Sequence, residues 1–298
     1  MRLRARAPGK VNLSLFMGEA LRADGRHELV TLFESLSLAD EVLLETDVVD
    51  RDEVICPGVE GENLAATALA ALRARGWDAP PVRLSIDKRI PLAGGMGGGS
   101  ADAAAALRLA IAVAPGRPEE VDLVAASLGS DVPNQLVAGV GLGTGAGDLV
   151  ERFEPLAPHA FVVLPADTEL AAAAVYAEAD RLGLGRPAGE LRELYDELVE
   201  ALGPVGRAGR IPERLLVNDL QQAALSLRPA IGELLEALMS VGAEQALVSG
   251  SGPTTIGIRW GEGALDWASN AAEELRATHP SAVAASPVNA EFAMPDLA

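Results

Sequence analysis

The chain has 298 residues, of which 49% are hydrophobic, and its 43 acidic and 24 basic residues give a formal net charge of −19. This length fits one large or two medium domains with a substantial core, and so negative a chain would be repelled by nucleic acid and by an anionic membrane surface. The single cysteine, Cys56, excludes an internal disulfide and a cysteine-based metal cluster. We expect a cytoplasmic protein, a monomer or homodimer, that binds neither nucleic acid nor membrane.

The first half of the chain is predicted to alternate strands with helices. Apolar and polar residues alternate in the strand segments, whereas leucine and alanine recur at helical spacing in the helix segments. A Pro8-Gly9 pair divides the first predicted strand in two. The predicted strands span residues 1–16, 31–38, 42–46 and 82–86, and the predicted helices span residues 63–75, 100–113 and 118–128.

The second half continues this mixture of elements. Its strand segments are a glycine-rich ribbon over residues 140–148, a buried-type strand over 161–164 and a strand–turn–strand unit over 246–256. Its helix segments span residues 170–182, 189–202, 218–239 with an interruption near Pro229, and 266–278. The sequence therefore predicts an α+β protein, and we divide it into domains of residues 1–155 and 156–298.

A glycine-rich loop between a predicted strand and a predicted helix is the most informative stretch. Its glycines fill five of six consecutive positions and are Gly94, Gly95, Gly97, Gly98 and Gly99. Without Cβ atoms, the backbone N–H groups of such a loop can surround an anion, and the amino terminus of the following helix adds a positive dipole. Ser100 is a suitable N-cap for that helix. The loop is predicted to bind phosphate, although it lacks the Gly-Lys-Ser/Thr ending of a Walker A loop.

A flexible linker and a dinucleotide-binding loop are the alternatives for this stretch. A linker is not normally flanked by a strand and an alanine-rich helix, and a dinucleotide loop normally follows the first strand of its βαβ unit. Only two of the 24 basic residues are lysines, Lys10 and Lys88, and Lys88 stands at the entrance of the loop. Because a lysine ammonium is a compact point charge, the two lysines indicate confined positions that need the smaller cation.

Three motifs follow one another along the chain. They are Ala7-Pro-Gly-Lys-Val-Asn12, Pro91-Leu-Ala-Gly-Gly-Met-Gly-Gly-Gly-Ser-Ala101 and Val248-Ser-Gly-Ser-Gly-Pro253. In this order they resemble the motifs of the GHMP kinase superfamily of small-molecule kinases, and the resemblance covers about residues 1–285. It implies a two-domain architecture, with an N-terminal ATP-binding domain of ribosomal-protein-S5-like fold and a C-terminal ferredoxin-like α/β domain.

Four further motifs narrow the resemblance. Asp24-Gly-Arg-His27, Thr31-Leu-Phe33, Gly129-Ser-Asp-Val-Pro133 and Asn218-Asp-Leu220 are similar to those of one branch of the superfamily. The acceptor of that branch is a cytidine diphosphate-linked polyol of the non-mevalonate isoprenoid pathway. The reaction that the resemblance implies is transfer of the γ-phosphoryl group of ATP, with Mg²⁺ as cofactor, to a tertiary hydroxyl of this small-molecule alcohol.

The resemblance also implies which residues form the site. Asp131 matches the catalytic aspartate, which would accept the hydroxyl proton, and Lys10 matches the lysine beside it. The implied cofactor-binding residues are Pro91, Leu92, Ala93, Gly94, Gly95, Met96, Gly97, Gly98, Gly99, Ser100 and Ala101, together with Asn63. The substrate-binding residues that we expect are Asn12, Arg26, His27 and Tyr176; the resemblance implies that His27 faces the cytosine, and Tyr176 is our candidate for the opposite face. No Mg²⁺ ligands are assigned.

The chain departs from the pattern of that branch at three places. Arg26 stands where a tyrosine usually stacks on the cytosine, Asn134 where phenylalanine is frequent, and Ala171–Ala174 where a threonine is frequent. An arginine can still stack on a base through its guanidinium plane. The alternatives are a kinase of another alcohol, polyol or sugar, and a non-catalytic nucleotide-binding homologue.

Each of these residues also has a simpler interpretation when it is taken singly. Asp131 could cap a helix, Lys10 could be a solvated charge, and His27 in a turn could be exposed. The glycines between Val248 and Pro253 could form only a tight hairpin. The occurrence of all the motifs in one order favours the functional interpretation.

Overall fold

The computed structural model describes residues 1–92, 94–115, 117–203 and 209–298; Ala93, a predicted cofactor-binding residue, lies outside this range. The strands are β1 (Arg2–Leu21), β2 (His27–Thr46), β3 (Glu53–Ile55), β4 (Val82–Asp87), β5 (Val140–Thr144), β6 (Leu149–Phe153), β7 (His159–Leu164), β8 (Gln245–Val248), β9 (Thr255–Trp260), β10 (Val283–Ala285) and β11 (Asp296–Leu297). The α-helices are α1 (Leu64–Ala74), α2 (Gly98–Val113), α3 (Pro118–Leu128), α4 (Asp131–Gln135), α5 (Ala172–Leu182), α6 (Ala188–Leu202), α7 (Gln221–Leu227), α8 (Ile231–Ser240) and α9 (Ala264–Leu275).

The first sheet is built on a long antiparallel hairpin of β1 and β2. Its strand order is β11–β1–β2–β4–β3, with β5 paired to β2 and β6 paired to β5. At the start of β1 the buried residues Leu3 and Ala5 alternate with the exposed residues Arg2 and Arg4, as expected for a strand with one face on the core. Because β11 pairs with β1, the end of the chain completes the sheet that its beginning starts.

The strand break predicted at Pro8-Gly9 is wrong. β1 continues through this pair, and its register with β2 shifts between Pro8 and Lys10. Proline is tolerated at such an irregularity because the local ladder is already interrupted. The two strands predicted over residues 31–38 and 42–46 likewise form one strand, β2.

The central helix α2 lies between the first sheet and α1. Ten consecutive residues, from Ala101 to Ala110, are buried, and the small alanine side chains let the helix lie close to neighbours on several sides. The prediction of Ser100 as its N-cap is wrong, because the helix begins at Gly98 and Gly97 is the N-cap. The left-handed backbone of Gly97, with φ of 67°, allows this earlier start.

The second sheet has the order β10–β7–β9–β8 and is antiparallel throughout. Its strand β7 is buried on both faces and confirms the strand predicted over residues 161–164. Ala160 and Val162 pack in the cluster under α9, whereas Phe161 and Val163 belong to the core that includes the first sheet. The two sheets therefore share one core.

The α+β character predicted from the sequence is confirmed. The domain boundary at 155/156 stays a prediction, and it falls in the connection between β6 and β7. Among the helices of the described residues, none combines the length and the apolar character that crossing a membrane requires.

Candidate active site

Two glycine-rich loops pack against each other. We call residues 94–99 the first glycine loop and residues 249–252, between β8 and β9, the second glycine loop. A Cβ atom at Gly95 would lie only 2.6 Å from the Ser249 carbonyl oxygen and 2.9 Å from that of Gly252, and the φ of Gly95 is +75°. Both the backbone conformation and the close approach require glycine at this position.

The first glycine loop leads directly into the amino terminus of α2. The Gly97 carbonyl accepts the Ala101 N–H at 2.8 Å, which is the first hydrogen bond of the helix, and the Lys10 N–H donates to the Met96 carbonyl at 2.9 Å. The first N–H groups of a helix have no acceptor within the helix, and they carry the positive end of its dipole. The hydrogen bond to β1 therefore fixes the loop that precedes these donors, and helix amino termini of this kind commonly bind phosphate groups.

Lys10 and Asp131 lie next to each other beside this loop. The Lys10 Nζ is 3.7 Å from the Asp131 Oδ2, and the lysine side chain is 6% exposed while that of Asp131 is 33% exposed. Lys10 also donates to the Asn12 Oδ1 at 2.8 Å, and the Asn12 Nδ2 donates to the Thr31 Oγ1 at 2.7 Å. The ammonium is thus held in a fixed position, whereas the carboxylate stays open to a ligand.

A cavity of about 390 Å³ opens onto this pair. It is lined by Lys10, Asn12, Leu15, Leu29, Thr31, Phe33, Gly95, Gly97, Ser130, Asp131, Ala146, Gly147, Leu170, Ala172, Tyr176, Gly250, Ser251 and Gly252. A larger groove of about 630 Å³ lies on the outer face of β1, β2 and β4. We assign the candidate site to the smaller cavity because it contains both Lys10 and Asp131.

His27 and Tyr176 lie together near the cavity. Their rings stack with centroids 5.9 Å apart and an interplanar angle of 14°, and His27 is buried, not exposed as a turn residue could be. The His27 Nδ1 is 2.8 Å from the Gly18 carbonyl oxygen, and its Nε2 is 3.1 Å from the Asp180 Oδ1. Burial and the negative charge of Asp131 raise the pKa of Tyr176 to about 12, so the phenol stays neutral.

Of the predicted site residues, the cavity is lined by Lys10, Asn12, Gly95, Gly97, Asp131 and Tyr176, whereas Arg26, His27, Asn63 and the other described residues of 91–101 are not among its lining. The Arg26 guanidinium lies at the surface, 2.9 Å from an Asp24 carboxylate oxygen and 3.5 Å from one of Asp148. Asn63 is the N-cap of α1, where its Oδ1 accepts the Ala65 N–H at 2.9 Å. The structure thus gives both side chains local partners outside the Lys10–Asp131 cavity.

Lys88 is held by two carboxylates at the entrance of the first glycine loop. Its Nζ donates to Asp40 and, at 2.7 Å, to Asp102 in the first turns of α2. Asp40 also accepts the N–H groups of Arg89 at 2.5 Å and of Ile90 at 2.8 Å. Burial raises the pKa of Asp102 to about 7, although the Lys88 ammonium opposes this rise. Lys88 therefore fixes the two ends of the loop, and its charge is balanced by its partners.

Sequence reasoning missed two buried amides that hold the glycine loops. The Asn218 Nδ2 donates to the carbonyls of Val248 and Gly250, at 2.7 Å each, and so fixes the second glycine loop. The Gln135 Nε2 donates to the Gly97 carbonyl at 3.1 Å in the first glycine loop. Asn218 stands in a motif that carried the resemblance, which was a usable signal, but nothing in the local sequence marked Gln135.

The family is identified by comparison with known proteins. Residues 63–133 match the family model for the GHMP kinases N terminal domain, and residues 166–277 match the model for the GHMP kinases C terminal domain. The chain belongs to the GHMP kinase family, which confirms the family expected from the motifs. The roles of the individual site residues stay predictions.

Curated relatives of this chain share one name within the GHMP kinase family. The chain is 44% identical over 269 residues to the 4-diphosphocytidyl-2-C-methyl-D-erythritol kinase of Streptomyces avermitilis, a match that covers 86% of this chain and 87% of the relative. It is 43% identical over 264 residues, with the same two coverages, to the protein of that name from Streptomyces coelicolor.

Solved structures agree with this comparison. A crystal structure of 4-(cytidine 5'-diphospho)-2C-methyl-D-erythritol kinase matches with a TM-score of 0.75 and 30% identity, covering 95% of this chain and 98% of that one. A mevalonate kinase from L. major, in complex with R-mevalonate, has a TM-score of 0.63 at 15% identity, covering 99% of this chain and 97% of that one. This second likeness shows the fold alone.

Proposed function

We propose that this chain is a kinase that transfers the γ-phosphoryl group of ATP to the 2-hydroxyl of 4-diphosphocytidyl-2-C-methyl-D-erythritol, in the non-mevalonate route to isoprenoid precursors. The relatives of that name support the substrate. The observation that carries the chemistry is the Lys10–Asp131 pair, which opens onto a cavity that both glycine loops line.

The first glycine loop is the proposed phosphate site. Backbone N–H groups at the start of α2 would donate to the β- and γ-phosphates, where negative charge develops during phosphoryl transfer. The cofactor-binding role of residues 91–101 and of Asn63 is part of this proposal. Mg²⁺ would neutralise further charge on the phosphates, and because this ion binds mainly through phosphates, waters and one or two carboxylates, we assign it no set of protein ligands.

Asp131 is the proposed general base. An alcohol is a poor nucleophile until its proton is accepted, and a carboxylate within hydrogen-bond reach of the hydroxyl can accept it as the bond to phosphorus forms. The carboxylate is partly exposed to the cavity, so a substrate hydroxyl can reach it. The Lys10 ammonium, fixed by Asn12, would stabilise the negative charges that meet at this point. Positioning would supply most of the rate acceleration.

The cytosine end of the proposed acceptor would bind beside His27 and Tyr176. Tyr176 lines the cavity, and its ring, stacked on that of the buried His27, would give a nucleobase an aromatic surface. We further propose that the protein acts in the cytoplasm on this small-molecule alcohol, as a monomer or homodimer, without nucleic acid or membrane as a partner. A kinase of a different alcohol is the second candidate, and the observation that favours it is the pairing of Arg26 with acidic residues outside the cavity.

An ADP-release assay against a panel of alcohols tests the substrate. The panel pairs 4-diphosphocytidyl-2-C-methyl-D-erythritol with the same polyol lacking the cytidine diphosphate group, and includes simple sugars. We expect turnover of the cytidylated compound and at least a hundredfold lower kcat/KM without that group. Turnover of simple polyols, with none of the cytidylated compound, would reject the first candidate in favour of the second.

A further inference from the structure

Gln135 connects the two parts of the candidate site that must act together. It is the last residue of α4, the five-residue helix that begins at Asp131, and residues four apart lie on one face of a helix. Its Nε2 donates to the Gly97 carbonyl at 3.1 Å. One short helix thus carries the proposed base at its start and a hydrogen bond to the first glycine loop at its end.

The contact is close and specific. Gly97 fits in a slot in which a Cβ atom would lie 2.8 Å from the Gln135 Nε2 and 3.3 Å from the Cε and Cγ atoms of Lys10. The Gly97 carbonyl also accepts the Ala101 N–H, so the amide of Gln135 contacts the group that starts α2. A shift of this amide would therefore move the helix start, the lysine and the loop relative to one another.

Stability alone does not explain a glutamine at this position. The side chain is 1% exposed, and its Oε1 has no hydrogen-bond partner among the described residues. A buried polar atom without a partner destabilises the folded state, and the Gly97 carbonyl would still have the Ala101 N–H if the glutamine were absent. An apolar side chain of similar shape would fill the same space without an unpaired oxygen.

We propose that Gln135 is a positioning residue that holds the Asp131 helix in register with the first glycine loop, and so sets the distance between the base and the phosphate site. This inference rests on the proposed kinase function. It assigns Gln135 no contact with substrate. Its effect is expected on the ATP side of the reaction, because Gly97 belongs to the loop and not to the His27–Tyr176 end.

The test compares Gln135→Met with Asn134→Leu. Asn134 is equally buried on the same helix, but its Oδ1 accepts from Arg152 of β6 at 3.1 Å and does not contact the first glycine loop. For Gln135→Met we expect kcat/KM for ATP to fall about threefold to tenfold, an unchanged KM for the alcohol, and a melting temperature equal to or above that of the parent protein. For Asn134→Leu we expect the reverse: a lower melting temperature and an unchanged kcat/KM for ATP.

Several results would overturn the proposal. They are a Gln135→Met variant that fails to fold, one that keeps its kcat/KM for ATP within twofold, and one that raises the KM values of both substrates equally. Asp131→Asn is measured in parallel to separate the two levels of inference. If Asp131→Asn abolishes phosphoryl transfer while Gln135→Met leaves it unchanged, only this inference fails; if Asp131→Asn keeps full activity, the proposed function fails first.

Discussion

The contact between the two glycine loops can be tested by adding one carbon atom to Gly95. In Gly95→Ala the new Cβ would meet the Ser249 carbonyl oxygen at 2.6 Å, whereas ordinary contacts begin at about 3.4 Å, so the loops must separate by about 0.8 Å. Alanine at a φ of +75° costs about 1–2 kcal/mol, and overpacking costs about 1–3 kcal/mol. We expect the free energy of unfolding to fall by about 2–5 kcal/mol.

The catalytic efficiency of Gly95→Ala should also fall. Because misplacing reacting groups by about 1 Å can cost about 10²-fold in rate, we expect kcat/KM for ATP to fall by about that factor in the ADP-release assay. The matched control is Gly99→Ala, whose Cβ would meet only the Leu64 Cδ1, at 3.6 Å. Since Gly99 lies inside α2, alanine there should raise the free energy of unfolding by up to about 1 kcal/mol.

Urea denaturation of both variants gives the decisive comparison. Opposite changes in the free energy of unfolding would support the described packing of the first glycine loop on the second glycine loop. Equal changes, or a Gly95→Ala protein with the parent stability and kcat/KM, would refute it, because a loop that absorbs a Cβ atom at no cost is not in contact with the opposing carbonyls.

Three other outcomes can be measured with the same assays. Asp131→Asn should lower kcat about 10²- to 10⁴-fold with little change in the KM for ATP, and an unchanged kcat would remove the proposed base. Burial lowers the pKa of His159, but the Glu34 carboxylate 2.7 Å away outweighs burial and raises this pKa above the ordinary 6.5. The stability gained from the pair should therefore be full below pH 6.5 and fall as pH rises through the folded pKa. His159→Gln should lose this pH dependence of the free energy of unfolding in urea titrations at pH 6 and 9. Burial raises the pKa of Asp102 to about 7, so the folded state binds an extra proton between about pH 4 and 7, and its stability should decline as pH rises across this range. Asp102→Asn, which keeps an acceptor for Lys88, should flatten the plot of unfolding free energy against pH. An unchanged slope of that plot would contradict the raised pKa.

The parts of the site that could be predicted are those whose signal is local in the sequence. The first glycine loop and α2 were recognisable because glycine and alanine impose their conformations on the residues next to them. Lys10 and Asp131 were found through motifs, and the structure brings them within 3.7 Å although 121 positions separate them. Tyr176 was expected in the substrate site without a motif of its own, and it lies on the wall of the cavity.

The parts that were missed depend on contacts that no local pattern encodes. The β1 irregularity at Pro8 is compatible with a continuous strand only because β2 supplies the long pairing partner. The buried pair of Glu34 and His159 joins the two sheets across 125 positions, and Gln135 reaches Gly97 across 38. Arg26 is the reverse case, because the motif around it predicts a position in the site, while its acidic partners hold it at the surface outside the cavity.

The electrostatics of the site follow from the same packing. In a chain with a net charge of −19, a lysine near the proposed phosphate site can be paired with carboxylates, as Lys88 is with Asp40 and Asp102. Main-chain N–H groups at the start of a helix keep their positive potential, because their partial charges belong to the peptide units and do not titrate. An acidic protein that must bind ATP therefore gains more from a glycine loop than from added lysines. This is the physical reason to expect the proposed phosphate contacts to come from the backbone, with Lys10 as the side-chain cation that acts beside the base.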